Sequence, residues 1–409
     1  MSGTLSNDSR GATSALSMQS VWFRAIPSAS SSERVGRVPL VHSSAGDPVQ
    51  QAWHDLLDAL RHAEASFTNG TRGEYDAEEV AAGYRHLTEV MAFATGMYMN
   101  VDREWPAFVA MAKDPIGEKS LGEHPDVVYR WAAIRGGRRY RIVGRRGEEA
   151  YLSFTVHRGT RGSGSQQFFD GHLNHHDLIT DPDGNFEIVV SDEPAGENWL
   201  RASADANEIY ARAYHLDVEQ ERTASYRIEP LDPTPFHRLG SRDVAERLGE
   251  MTTLVRDVAR AIPQPLDDAN TAGELWQPDP DAPSRMWSAR DNVYSRGVFR
   301  LDPEELLLVE GRVVPCDYWG IQLWSPFLGS GDARRHRVTI NTEQARLGPR
   351  GEFRVAIARD DPGVPELDWL STSGERQGTF FVRWMCPERM PPRPTCTLTT
   401  RAALKNRPS

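Results

Sequence analysis

The sequence predicts a mainly β protein with helical additions, an α+β chain carrying two antiparallel β lobes, and three observations lead there. Short runs enriched in β-branched and aromatic residues, punctuated by turn residues, follow Glu118 and resume near Val293. The two sets carry the same side chains in the same order. The chain has 409 residues, beyond the roughly 250–300 at which one hydrophobic core stops growing, so more than one lobe is required. Hydrophobic residues at 39%, with eleven Trp, supply more than one core and oppose global disorder.

Residues 1–45 are Ser-rich, lack the apolar stretch and cleavage site of a secretory signal, and read as a disordered arm. Residues 46–118 read as helical. Trp53, Leu56, Leu57 and Leu60 share one helix face, which should be buried, and Val80, Tyr84, Leu87 and Met91 share another. Asp76 and Glu79 have the spacing of a capping box. The first β lobe covers 119–231, where Arg139–Val143, Tyr151–His157 and Phe186–Val190 read as strands and Asp181-Pro-Asp-Gly184 as a tight turn. Residues 232–291 form a connector: a helix over Ser241–Ile262, then a stretch rich in Pro and Asp. The second β lobe covers 292–388, and 389–409 is a tail.

A formal net charge of −11 opposes binding to nucleic acid and to anionic membranes. No run of about 18 apolar residues is present, so no membrane span is expected. The three cysteines, Cys316, Cys386 and Cys396, suit a reducing compartment better than a disulfide framework, which points to the cytoplasm.

The spacing of the two sets points to an internal duplication. Tyr151 precedes Gly184 by 33 residues, and Tyr318 precedes Gly351 by the same 33. Each Gly is followed two residues later by Phe186 or Phe353, then by Asn198-Trp-Leu or Asp368-Trp-Leu, then by Arg212 or Arg383. A shared strand order is the structural test of this reading.

Arg139-Tyr-Arg-Ile, Tyr151-Leu-Ser-Phe, Asp183-Gly-x-Phe186-Glu-Ile, Asn198-Trp-Leu and Arg212-x-Tyr214-x-x-Asp217 resemble the bacterial domain of unknown function 1214. Tyr318-Trp-Gly-Ile-Gln-Leu and Asp368-Trp-Leu resemble it again. The likeness spans about 125–230 and, more divergently, 292–388: Arg350 replaces the turn aspartate, and Trp384-Met385 stand where a Tyr is wanted. It implies a jelly-roll-like antiparallel sandwich for each lobe and no particular reaction.

Three constellations carry possible chemistry. Tyr151, Ser153, Thr155 and His157 share one face of a strand, opposite Leu152, Phe154 and Val156, while Tyr318, Gln322 and Trp324 repeat the pattern. Such a face lines a cleft or, more commonly, meets solvent. The segment Asp170-Gly-His172-Leu-Asn-His175-His176-Asp177 offers metal-ligand types, with His172, His175 and Asp170 the best set. Adjacent His175 and His176 on an extended chain would diverge, so no cofactor is a stronger expectation than a divalent metal. The arginines at 135, 138, 139, 141, 145, 146, 158 and 161 make a positive region, in which Arg139 and Arg141 share a face suited to an anion. A solvated face paired with acidic residues is the simpler account.

The leading functional reading is binding of a small anionic or amphiphilic molecule in a cleft of, or between, the lobes. Its ligand-binding residues are Arg139, Arg141, Ser153, Thr155, Arg212, Tyr214 and Gln322. The rival is an enzyme using His157 and Tyr151 for proton transfer, or a metal. A third reading is a structural homo-oligomer with Trp276, Trp287 and Trp324 at its interface.

Overall fold

The structure, a computed structural model, describes residues 47–69, 75–110, 121–234, 238–262, 268–285 and 287–405. The Ser-rich arm lies outside them.

Helix α1, Pro48–Thr68, starts at Asp47, whose carboxylate accepts from the Val49 N–H at 2.9 Å. Helix α2, Ala77–Ala94, carries the expected capping box: Asp76 accepts from the Glu79 N–H and Glu79 from the Asp76 N–H, both at 2.9 Å. The buried stripes differ from those predicted. In α1 they are Leu56, Ala59, Ala63 and Phe67, leaving Trp53 48% exposed. In α2 they are Glu79, Gly83, His86, Val90 and Ala94, one residue off Val80, Tyr84, Leu87 and Met91. Close packing explains the rotation, because Phe67 lies where a side chain at Gly83 would stand. A π-turn, Thr95–Met99, continues α2, and the long helix α3, Ser241–Ala261, packs on α1.

Lobe 1 is a sandwich of two sheets. Strands β1 (Val109–Ala110), β2 (Val127–Ala133), β3 (Tyr140–Arg145), β4 (Tyr151–Gly159), β5 (Gln167–Asn174), β6 (Asn185–Ser191), β7 (Trp199–Arg201), β8 (Ala206–Tyr214) and β9 (Ser225–Pro230) order as β1-β2-β8-β4-β5 and β7-β6-β3-β9. Leu152, Phe154 and Val156 of one sheet meet Ile142, Ile188 and Val190 of the other in a common core. Lobe 2 contains β10 (Thr271–Trp276), β11 (Asn292–Arg300), β12 (Glu305–Arg312), β13 (Tyr318–Trp324), β14 (Thr339–Asn341), β15 (Glu352–Ala358), β16 (Asp368–Ser371), β17 (Gln377–Met385) and β18 (Thr395–Thr400). Their orders are β10-β11-β17-β13-β14 and β16-β15-β12-β18.

The strand order is therefore the same in both lobes, strand for strand, and each repeated residue has the same physical task twice. Gly184 and Gly351 sit at φ of 82° and 80°, a conformation that favours glycine. Phe186 lies across from Gly144 and Phe353 across from Gly311, each ring occupying the space of the missing side chain. The Trp199 and Trp369 indoles donate to the carbonyls of Ser191 and Ala358 at 3.2 and 3.1 Å. One expectation fails at the edges. The short Trp-Leu strands β7 and β16 run parallel to β6 and β15, so each sandwich is antiparallel except for one edge pair.

Candidate functional site

The sheets bearing β4 and β13 turn their polar faces toward each other, and the lobes are joined by a reciprocal clasp. Tyr151 Oη and Asn174 Nδ2 of lobe 1 donate to Asp291 Oδ2, just before β11, each at 2.8 Å. Tyr318 Oη and Asn341 Nδ2 of lobe 2 donate to Asp126 Oδ2, just before β2, at 2.8 and 2.9 Å. In lobe 1 the His172 Nε2 adds a further contact to Asp291 Oδ2 at 2.8 Å. Burial raises the Asp291 carboxyl, but the hydrogen bonds from His172, Asn174 and Tyr151 outweigh it and hold it well below the usual carboxylate range. The same burial, with Asp291 beside it, drives the Tyr151 phenol far up.

Beside this clasp the central strands β8 and β17 each supply one arginine at the same register. Arg212 lies opposite Tyr129 of β2, and Arg383 opposite Tyr294 of β11. The two arginines are 2% and 3% exposed, and neither pairs with a carboxylate among the described residues. Arg212 Nη2 donates to the Trp287 carbonyl at 2.6 Å, and Arg383 Nη2 to Gln322 Oε1 at 2.8 Å. Arg212 Nη1 and Arg383 Nε are buried with no hydrogen-bond partner. Both arginines, with Tyr129, Tyr214 and Tyr294, line a cavity of about 230 Å³ between the lobes.

The cavity walls are aromatic. Arg212 stands over the Tyr210 ring at 5.1 Å, and Arg383 over Tyr294 at 5.7 Å and Trp324 at 5.9 Å. Trp276 stacks on Tyr294 with centroids 4.5 Å apart, and the exposed Arg285 covers Trp276 at 5.2 Å, marking the outer end. Phe93, Leu254 and Leu328 complete an apolar floor. Behind Tyr210, Glu208 accepts from the indoles of Trp131 and Trp287 at 3.0 and 2.9 Å, which fixes the carbonyl that Arg212 grips. Burial raises the Glu208 carboxyl against the pull of those donors and of Arg161. Glu123 also lines the cavity; its carbonyl accepts from Gln322 and Trp324 at 2.7 and 3.1 Å.

The structure sorts the predicted site residues. Arg212 and Tyr214 line the cavity. Ser153, Thr155 and Gln322 are 1% exposed or less and do not line the cavity, so this part of the polar strand face is covered rather than solvated; Trp324 alone of it reaches the wall. Arg139 and Arg141 stand on the outer sheet, paired with Asp232 at 2.9 Å and with Glu229, and the wider cluster is likewise paired: Arg135 and Arg138 with Glu104, Arg146 with Glu149. Tyr151 and His157 do not meet, being at opposite ends of β4, about 20 Å apart at strand spacing. His157 is fully buried against Phe169 and Tyr210, and burial, then Arg212, pushes its imidazole far down.

The set His172, His175 and Asp170 is not assembled either. A bulge between β4 and β5 leaves Asp170 unpaired and turns its carboxylate to the Ser203 N–H at 2.6 Å, while His172 engages Thr155 and Asp291. Trp276, Trp287 and Trp324, the residues of the oligomer reading, all line the cavity. Tyr129, Tyr294 and Arg383 are the functional candidates that the sequence-predicted site omitted. The repeat itself was the signal for Arg383, as the counterpart of Arg212.

Residues 131–217 match the family model of DUF1214, a protein of unknown function. The DUF1214 match falls within lobe 1 and includes Arg212 and Tyr214, while lobe 2 is linked to it by the shared strand order. The chain is similar to an uncharacterised protein from Burkholderia cenocepacia, with 27% identity and a TM-score of 0.77 over 86% of this chain and 98% of that one. The VPA0106 protein from Vibrio parahaemolyticus aligns with a TM-score of 0.43 and 10% identity over 83% of this chain and 100% of that one. No curated protein matches.

Proposed function

We propose that the cavity between the lobes binds a small organic anion, a planar or apolar body bearing a carboxylate or similar acidic group. The observation that carries this reading is the pair of buried arginines facing one cavity, with no carboxylate in ion-pair contact among the described residues and Glu123 the single acidic residue in the lining. Burying a charge costs several kcal/mol, on the order of the penalty for any ion removed from water, unless an opposite charge joins it. Fold stability alone would favour apolar residues there. A carboxylate entering the cavity supplies the missing charge and accepts from the unpartnered Arg212 Nη1 and Arg383 Nε.

Size and wall chemistry narrow the class. A cavity of about 150 Å³ holds a benzene ring, so the 230 Å³ here accommodates a ring with an acidic substituent. Aromatic walls favour a flat ligand. The test is native mass spectrometry of gently purified full-length protein beside Arg212→Met and Arg383→Met. A mass excess in the wild type that denaturation releases and both variants lack is the expected result. An excess retained by both variants would place the ligand elsewhere.

A further inference from the structure

A second cluster lies at the far edge of the same lobe junction, outside the cavity. Strand β5 ends at Asn174, whose side-chain oxygen accepts from the His176 N–H at 2.9 Å and folds the chain into a turn. The turn defeats the divergence expected of neighbouring residues: the His175 and His176 rings lie side by side, centroids 4.1 Å apart. Facing them is Asp317 of lobe 2, held just ahead of β13 by its N–H bond to the Met385 carbonyl at 3.0 Å. Asp317 Oδ2 is 2.8 Å from His176 Nε2 and 3.8 Å from His175 Nε2. One donor atom from each residue lies within 4.8 Å of the others.

We propose that His175, His176 and Asp317 form a binding site for a borderline divalent transition metal of the zinc type, which would staple lobe 1 to lobe 2. Two imidazoles and one carboxylate are the donor mixture that zinc, nickel and copper prefer, whereas magnesium and calcium seek oxygen alone. Zinc ligands stand about 2.0–2.2 Å from the ion. The three atoms therefore close on a shared centre with side-chain adjustment only, and the remaining positions take water. His176 is 54% exposed, so the ion has a path from solvent, while the Tyr151 ring packs edge-on against His175 at 5.5 Å and sets its plane. The Asp317–His176 hydrogen bond is the metal-free form of the same contact.

The test is isothermal titration of the chelator-treated full-length protein with zinc, and with magnesium as the contrasting probe, for the wild type, His176→Ala and Asp317→Asn. One equivalent of zinc on the wild type is expected, with no magnesium bound and affinity at least tenfold weaker in each variant. Zinc should also raise the melting temperature of the wild type and not that of His176→Ala. The exposed ring of His176 makes that variant safe for folding, which its metal-free melting curve verifies. No zinc on the wild type would overturn the proposal, leaving the cluster as an interlobe hydrogen bond. Undiminished zinc binding by both variants would overturn it equally.

Discussion

Removing one hydroxyl from the interlobe clasp is a sharp test of how the lobes are held. Tyr151→Phe deletes the 2.8 Å bond to Asp291 Oδ2 but keeps the ring, and with it the edge contacts to Tyr214 and His175 at 5.6 and 5.5 Å. A hydrogen bond to a charged group contributes about 1.5–3 kcal/mol. Asn174 and His172 remain on Asp291, so the carboxylate is not orphaned, and a loss of about 1.5–2 kcal/mol is expected. Urea denaturation at neutral pH measures it. The pH dependence has a definite sign. The folded Asp291 carboxyl lies below its unfolded value, so its contribution is complete above the unfolded pKa of about 3.9 and is lost as pH falls toward the folded value. Asp291→Asn should accordingly flatten the acid limb of the stability curve below about pH 4. A Tyr151→Phe loss under about 0.3 kcal/mol, or an acid limb unchanged by Asp291→Asn, would refute the clasp.

Other outcomes follow from the same geometry. Gly144→Ala and Gly311→Ala place a methyl 2.6 and 2.5 Å from the facing Phe186 and Phe353 rings, so each should cost about 1–3 kcal/mol in denaturation experiments, with similar values in the two lobes. Burial, then Glu79 and Asp76, raises the Glu375 carboxyl to about 7. Its folded value exceeds its unfolded one, so stability should fall as pH rises from about 4.5 to 7, and Glu375→Gln should remove up to about 3 kcal/mol of that fall. Ligand-free Arg383→Met should be as stable as the wild type or more so, measured as a denaturation midpoint, because a buried charge with no carboxylate partner among the described residues is exchanged for an apolar chain.

The two-lobe β architecture was legible because duplication writes the same constraints twice. A turn needing positive φ, an aromatic ring over a glycine and an indole capping an edge strand each demand one residue type, so Gly184/Gly351, Phe186/Phe353 and Trp199/Trp369 stand out at fixed spacing. Arg212 and Tyr214 were legible for the same reason. The rest of the site was not, because it is made by docking one lobe on the other. Period-two alternation shows that Ser153, Thr155 and His157 share a face, but only tertiary packing determines that this face is covered rather than wet. The helix stripes shifted for a related reason: Gly83 is no hydrophobe, yet its missing side chain is what admits Phe67. The bulge at Asp170 and the turn after Asn174 redirected the histidines, and neither departure from regular strand geometry has a strong sequence signature.

The proposed anion site between the lobes depends on Arg212 and Arg383 acting together. Trp276, Trp287 and Trp324 line that cavity, so titration of the wild type with benzoate, followed by tryptophan fluorescence, reads occupancy directly. Saturable quenching is expected, weakened about 10- to 100-fold in Arg383→Met, the loss that one charge-assisted bond implies, and absent with benzyl alcohol. Equal responses to benzoate and benzyl alcohol, or an unchanged affinity in Arg383→Met, would contradict it.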